Sequence, residues 1–145
     1  MKRISYRNLE NGKIENLGEK VKDKSFVVNL SVSTCLSCPE QRRIRLMEEI
    51  ASKKDFCKEQ FILLFGLGNN FDLMKKFVEK NDIKNITVGI IQKSHDLSDD
   101  DYFRIFKLDI DPRIMIFDKK GRIKFYEDLK NRRMIDKDFI IENIT

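Results

Sequence analysis

Cys35 and Cys38 stand three residues apart in the run Thr34-Cys35-Leu36-Ser37-Cys38-Pro39. Two thiols at this spacing can close a small disulfide ring and open it again. The chemistry open to them is thiol–disulfide exchange, in which a thiolate attacks a disulfide sulfur and a second thiol resolves the mixed disulfide. Cys35 is the expected attacking sulfur; Cys38, one helical turn further in, is the expected resolving one. The same spacing also suits two small buried side chains, or a structural bridge that never turns over. Ser33 and Thr34, immediately before the pair, argue for an exposed first sulfur.

Exchange needs a thiolate, so the pair needs an element that stabilises one. Phe26 to Val32 is a short β-branched run without alternation, which reads as a central strand covered on both faces. Glu40 to Ala51 places Ile44, Met47, Ile50 and Ala51 at steps of three or four, with Arg42, Arg43, Arg45, Glu48 and Glu49 between them; this is an amphipathic helix. Cys35 therefore falls between the carboxyl end of a strand and the start of a helix, where sites form in open α/β sheets. Unpaired N–H groups and the positive end of the helix dipole favour an anion there by up to ~2 kcal/mol, which lowers the thiol pKa.

The rest of the chain supplies the frame. Gln60 to Gly66 reads as a second buried strand, Phe71, Met74, Phe77 and Val78 mark a second helix, and Ile86 to Ile91 a third strand. Ser98 before Asp99, Asp100 and Asp101 is a helix start, continuing through Phe103, Ile105 and Phe106. Arg113 to Asp118 and Ile123 to Tyr126 form a hairpin across a turn containing Gly121. Asp136 caps a last helix carrying Phe139, Ile140 and Ile144. The order is that of an α/β fold with right-handed crossovers. Residues 1–24 are expected to add an N-terminal extension or hairpin to a single domain spanning 1–145.

Composition bounds the function. The 145 residues are 41% hydrophobic and 37% charged, within the range of one folded domain. The net charge of +5 comes from 29 basic and 24 acidic residues that are interspersed, so no compact basic block suggests nucleic acid. The longest apolar stretches, Phe61 to Leu67 and Ile86 to Ile91, are far short of the ~20 residues of a membrane span, and no apolar signal core follows Met1-Lys2-Arg3. Three Cys and one His make a tetrahedral zinc site improbable, and Gly66-Leu67-Gly68 lacks the later glycine and acid of a dinucleotide fingerprint. Neither metal nor organic cofactor is expected. Cys57 reads as a half-buried filler rather than a third redox thiol, and His95 as a surface loop residue.

Two blocks carry a resemblance to a known family: Lys24-Ser-Phe-Val-Val-Asn-Leu leading into Thr34-Cys-Leu-Ser-Cys-Pro-Glu, and Asp111-Pro112-Arg-Ile-Met-Ile-Phe-Asp-Lys-Lys-Gly-Arg-Ile. With them the chain, over about residues 12 to 144, resembles the thioredoxin superfamily and its bacterial TlpA/ResA-type members. The resemblance implies a thioredoxin-like α/β fold, a central mixed sheet flanked by helices. It also implies a cis Pro112 facing Cys35, with the backbone of Asp111 available to a bound substrate strand. Cys35 and Cys38 would be catalytic, with Thr34, Gln41, Asp111 and Pro112 supporting. Thr34 stands where the family commonly has Trp, Ser37 where it has Pro, Gln41 where it often has Glu, and Asp111 where it has Thr or Val. These differences should alter the redox potential, and a carboxylate at Asp111 should oppose the helix dipole. The implied activity is disulfide exchange with disulfide- or dithiol-bearing proteins by a monomer. Its place would be the cell envelope or periplasm if a signal or anchor has been removed, and otherwise the cytoplasm. The alternatives are a binding module with a structural disulfide and a peroxiredoxin-type peroxidase, the latter disfavoured because Val32 stands where its Thr would be.

Overall fold

The computed structural model describes residues 4–31, 38–53, 56–66, 69–93, 97–98, 101, 104, 114–127 and 136–144, with the backbone alone for 38–40. Seven strands form one mixed sheet: β1 (Ser5–Asn8), β2 (Ile14–Asn16), β3 (Phe26–Ser31), β4 (Phe61–Phe65), β5 (Thr87–Gln92), β6 (Ile114–Phe117) and β7 (Ile123–Tyr126), in the order β2-β1-β5-β4-β3-β6-β7. β3, β4 and β5 are parallel; β6 joins β3, and β1 joins β5, antiparallel. The four labelled helices are α1 (Leu17–Lys20), α2 (Cys38–Ala51), α3 (Phe71–Lys80) and α4 (Lys137–Ile144).

Apolar periodicity explains why two layers close on this sheet. One face packs Val27, Leu63, Phe65, Val88 and Ile116 against Ile44, Met47 and Ile50 of α2, Met74 of α3 and Ile140 and Ile144 of α4. The other packs Phe26, Val28, Ile62, Leu64, Met115 and Phe117 against Ile4, Tyr6, Leu17 and Leu97. Every residue of β4 is buried, as its unbroken apolar run requires of a central parallel strand.

Local chemistry sets the ends. α2 begins at Cys38, two residues before the expected start, because Pro39 lies in the first turn, where its missing N–H would have had no partner. Asn70 caps α3, its side chain accepting from Leu73 N at 3.1 Å. Ser98 and Asp101 exchange bonds, Ser98 N donating to Asp101 Oδ2 at 2.9 Å and Asp101 N to Ser98 Oγ at 3.2 Å; this is the helix start read from Ser98. In the β6–β7 turn Asp118 Oδ1 accepts from Lys120 N and Arg122 N at 2.9 and 3.0 Å, while Gly121 supplies the positive φ of 78°.

The N-terminal segment is more than an appendage. β1 and β2 form a hairpin, and β1 continues the sheet beyond β5, pairing Ser5 with Gln92 through Asn8 with Gly89. Ile4, Tyr6, Leu17 and Val21 are core residues.

Candidate functional site

The structure describes the frame of the dithiol. Cys35 and Thr34 lie outside the described residues, as do Asp111, Pro112 and His95, and so does the side chain of Cys38. The cis bond expected at Pro112 falls in the same category. β3 reaches Ser31, and α2 starts at Cys38, so in the sequence Cys35 falls between the end of that strand and the start of that helix. The carboxyl end of β3 is held on one side by β4, through Ser31 paired with Phe65 and Gly66 N donating to Ser31 O at 3.1 Å. On the other side Asn29 pairs with Ile114. Ile114 follows Pro112 by two positions, so the sheet brings the flanks of both motif blocks to one end of β3. At fourteen residues, α2 presents its unpaired N–H groups and positive dipole end at Cys38.

Two polar side chains sit where a sequence reader expects only core. Asn29 is 1% exposed and Ser31 is buried, and alternation along β3 turns both toward the face that α2 covers. Asn29 Nδ2 and Oδ1 and Ser31 Oγ have no hydrogen-bond partner among the described residues. An orphaned buried polar group costs about 1–3 kcal/mol. Their signal in the sequence was the pair of polar residues at alternate places in Val27-Val28-Asn29-Leu30-Ser31.

Three charged residues of this region also differ from a polar helix face turned to water. Arg43 is ion-paired with Glu127, Nη2 lying 2.5 Å from Oε1 and Nε donating to Oε2 at 3.2 Å; the side chains are only 12% and 3% exposed. Glu127 directly follows β7, and its own N–H donates to Ile114 O at 2.9 Å. Glu48, also buried, accepts from Lys84 N, Asn85 N and Asn85 Nδ2, each at 2.9 Å, and so fastens α2 to the segment entering β5. Periodicity had placed Arg43 and Glu48 on the wet side of α2. Gln41, one helical turn after Cys38, is exposed and borders a shallow groove of about 280 Å³ between α2 and α3, with Arg45, Phe77 and Asn81. Cys57 is exposed rather than half-buried, because it precedes the short 3₁₀ turn Lys58–Gln60 at the rim of the sheet.

No protein-family model matches the sequence, and no curated protein matches it. Solved structures do. A candidate electron transfer protein of Aquifex aeolicus VF5 superposes with a TM-score of 0.67 at 14% identity, over 99% of this chain and 89% of that one. A secreted Mycobacterium tuberculosis disulfide oxidoreductase homologous to E. coli DsbE gives 0.63 at 13% identity, over 98% and 94%. A candidate thiol-disulfide oxidoreductase of Bacteroides vulgatus gives 0.54 at 25% identity, over 82% and 71%. The chain has a thioredoxin-like α/β fold, a mixed seven-stranded sheet with flanking helices, in agreement with the resemblance to the thioredoxin superfamily. Among the described residues no helix is long and apolar enough to cross a membrane.

Proposed function

We propose that this protein is a thiol–disulfide oxidoreductase that exchanges disulfides with protein partners through Cys35 and Cys38. What supports the reading is the place of the two cysteines in the sequence, between a strand buried on both faces and a fourteen-residue helix that begins at Cys38, in a thioredoxin-like sheet. The Mycobacterium tuberculosis and Bacteroides vulgatus neighbours, described as disulfide and thiol-disulfide oxidoreductases, support it.

In the reducing direction the Cys35 thiolate attacks one sulfur of a partner disulfide, forming a mixed disulfide and releasing the other partner sulfur as a thiolate. Cys38, deprotonated, then attacks Cys35 Sγ and expels the second partner thiolate. The partner gains two electrons and two protons, and the Cys35–Cys38 pair is left oxidised. A dithiol reductant restores it; with an oxidised pair and a dithiol partner the same steps run backwards. In this reading Thr34, Asp111 and Pro112 border the attacking sulfur, and Gln41 lies one turn behind the resolving one. The protein acts as a monomer, in the cell envelope or periplasm when exported and in the cytoplasm when retained.

The test is reduction of insulin disulfides in the presence of dithiothreitol. The wild-type protein accelerates it, and Cys35→Ser abolishes the acceleration. Unchanged activity in that variant overturns the assignment. A disulfide that resists mild reductants, with no turnover, would point instead to a binding module.

A further inference from the structure

The Arg43–Glu127 pair joins two segments that sequence separates by more than eighty residues, and both belong to the frame of the dithiol. Arg43 lies five residues into α2 from Cys38. Glu127 is bonded through its backbone to Ile114, the first residue of β6 and the second after Pro112. Its carboxylate meets the guanidinium in a two-point contact while both side chains are largely removed from water. Such a pair is a poor source of stability, since desolvation offsets most of the attraction. What one hydrogen bond from Nε to Oε2 and a close ion-pair contact of Nη2 with Oε1, whose hydrogen-bonding capacity is otherwise unused among the described residues, do supply is fixed geometry. Here the geometry fixed is that of the dithiol helix against the strand that leads out of the Asp111-Pro112 segment.

We infer that Arg43 and Glu127 are positioning residues for the dithiol, holding the first turns of α2 at a set distance from the start of β6 and so setting the Cys35–Cys38 redox equilibrium. This rests on the exchange function proposed above. Glu127→Gln leaves the Arg43 charge without its counterion five residues from Cys38. An added positive field stabilises thiolate, hence the reduced dithiol, and makes the couple more oxidising.

The measurement is the Cys35–Cys38 equilibrium in glutathione redox buffers, read by alkylation and mass spectrometry, for three proteins: wild type, Glu127→Gln, and the double variant Arg43→Leu with Glu127→Leu. Unfolding curves are recorded alongside. The double variant removes both buried charges together and is expected to fold, as apolar replacements of buried pairs commonly do. Expected are a titratable couple in the wild type, a shift of about tenfold toward the reduced dithiol in Glu127→Gln, equal to about 30 mV, and slower insulin reduction by the folded double variant. A wild-type couple that titrates normally, with folded variants that keep its equilibrium and turnover, overturns the inference and leaves the exchange function standing. Variants that both fail to fold also overturn it, since the pair then serves stability alone. A wild type with no titratable couple overturns the exchange function itself.

Discussion

Among individual residues, Glu15 and Asn29 show opposite solutions to burying polarity. Glu15 is partly buried, which by itself raises its pKa, yet it accepts from Tyr6 Oη at 2.8 Å and from Asn8 and Asn11 at 3.2 Å, with Lys20 Nζ 3.2 Å away. Together these partners hold the carboxyl below its ordinary value. The Tyr6 hydroxyl is pushed up in turn, by burial first and by its bond to Glu15 second. A depressed folded-state carboxyl contributes stability above its unfolded pKa and loses it as pH falls through the folded value. Glu15→Gln should therefore lower stability by about 1–2 kcal/mol at pH 7, with the gap to wild type closing in acid; urea unfolding at several pH values measures it. A gap independent of pH would contradict the linkage. Asn29 has no such partners among the described residues. Asn29→Leu should raise the melting temperature by about 2–4 °C for each kcal/mol of relieved desolvation, and calorimetry decides.

Single elements are held by close approach and by tethers between them. At Gly89 in β5, an added Cβ would run into Tyr6 Cδ2, lie 3.0 Å from Tyr6 Cγ and 3.2 Å from Arg7 O. The Tyr6 ring crosses the strand there and is wholly buried, so it has little room to move. Gly89→Ala should cost about 1–3 kcal/mol, visible as a lower urea midpoint with an unchanged slope. Glu48 is the tether of α2 to the start of β5, accepting from two backbone N–H groups and one side-chain amide. Glu48→Ala leaves these donors unpaired, and a loss of about 2–4 kcal/mol is expected. Neither role was readable in the sequence: a glycine in an apolar run signals only that something approaches closely, and a glutamate beside Met47 and between Ile44 and Ile50 reads as solvated.

In the molecule as a whole, the N-terminal segment closes one side of the sheet. β1 lies between β5 and β2 and pairs with both, and Ile4, Tyr6, Leu17 and Val21 fill the face opposite α2. Deleting residues 1–24 would bare the β5 edge and uncover Ile62 and Leu64. The shortened chain should lose cooperative unfolding and aggregate through that edge, as sedimentation and circular dichroism would show. A truncated protein with a cooperative transition near that of the full chain would reduce the segment to an ornament.

Composition, periodicity and spacing determined much of this protein. Buried runs are local in sequence, so β3, β4, the β6–β7 hairpin and the helices α2 to α4 could be read directly. The dithiol could likewise be placed at a strand-to-helix junction, because strand, cysteines and helix are consecutive. What depends on residues far apart in the chain was decided only by the tertiary structure. The unbroken run predicts β3 to be covered on both faces, but only the packed layers show that Asn29 and Ser31 are buried without a hydrogen-bond partner among the described residues. Arg43 and Glu48 match the polar face of a helix until Glu127 and Asn85 come to meet them from other elements. An extension or hairpin over residues 1–24 could be expected from the sequence, but that β1 and β2 form it beside β5 follows from which edge β3, β4 and β6 leave open in the finished sheet. Side-chain burial, and with it the meaning of a charge, is a property of the assembled layers.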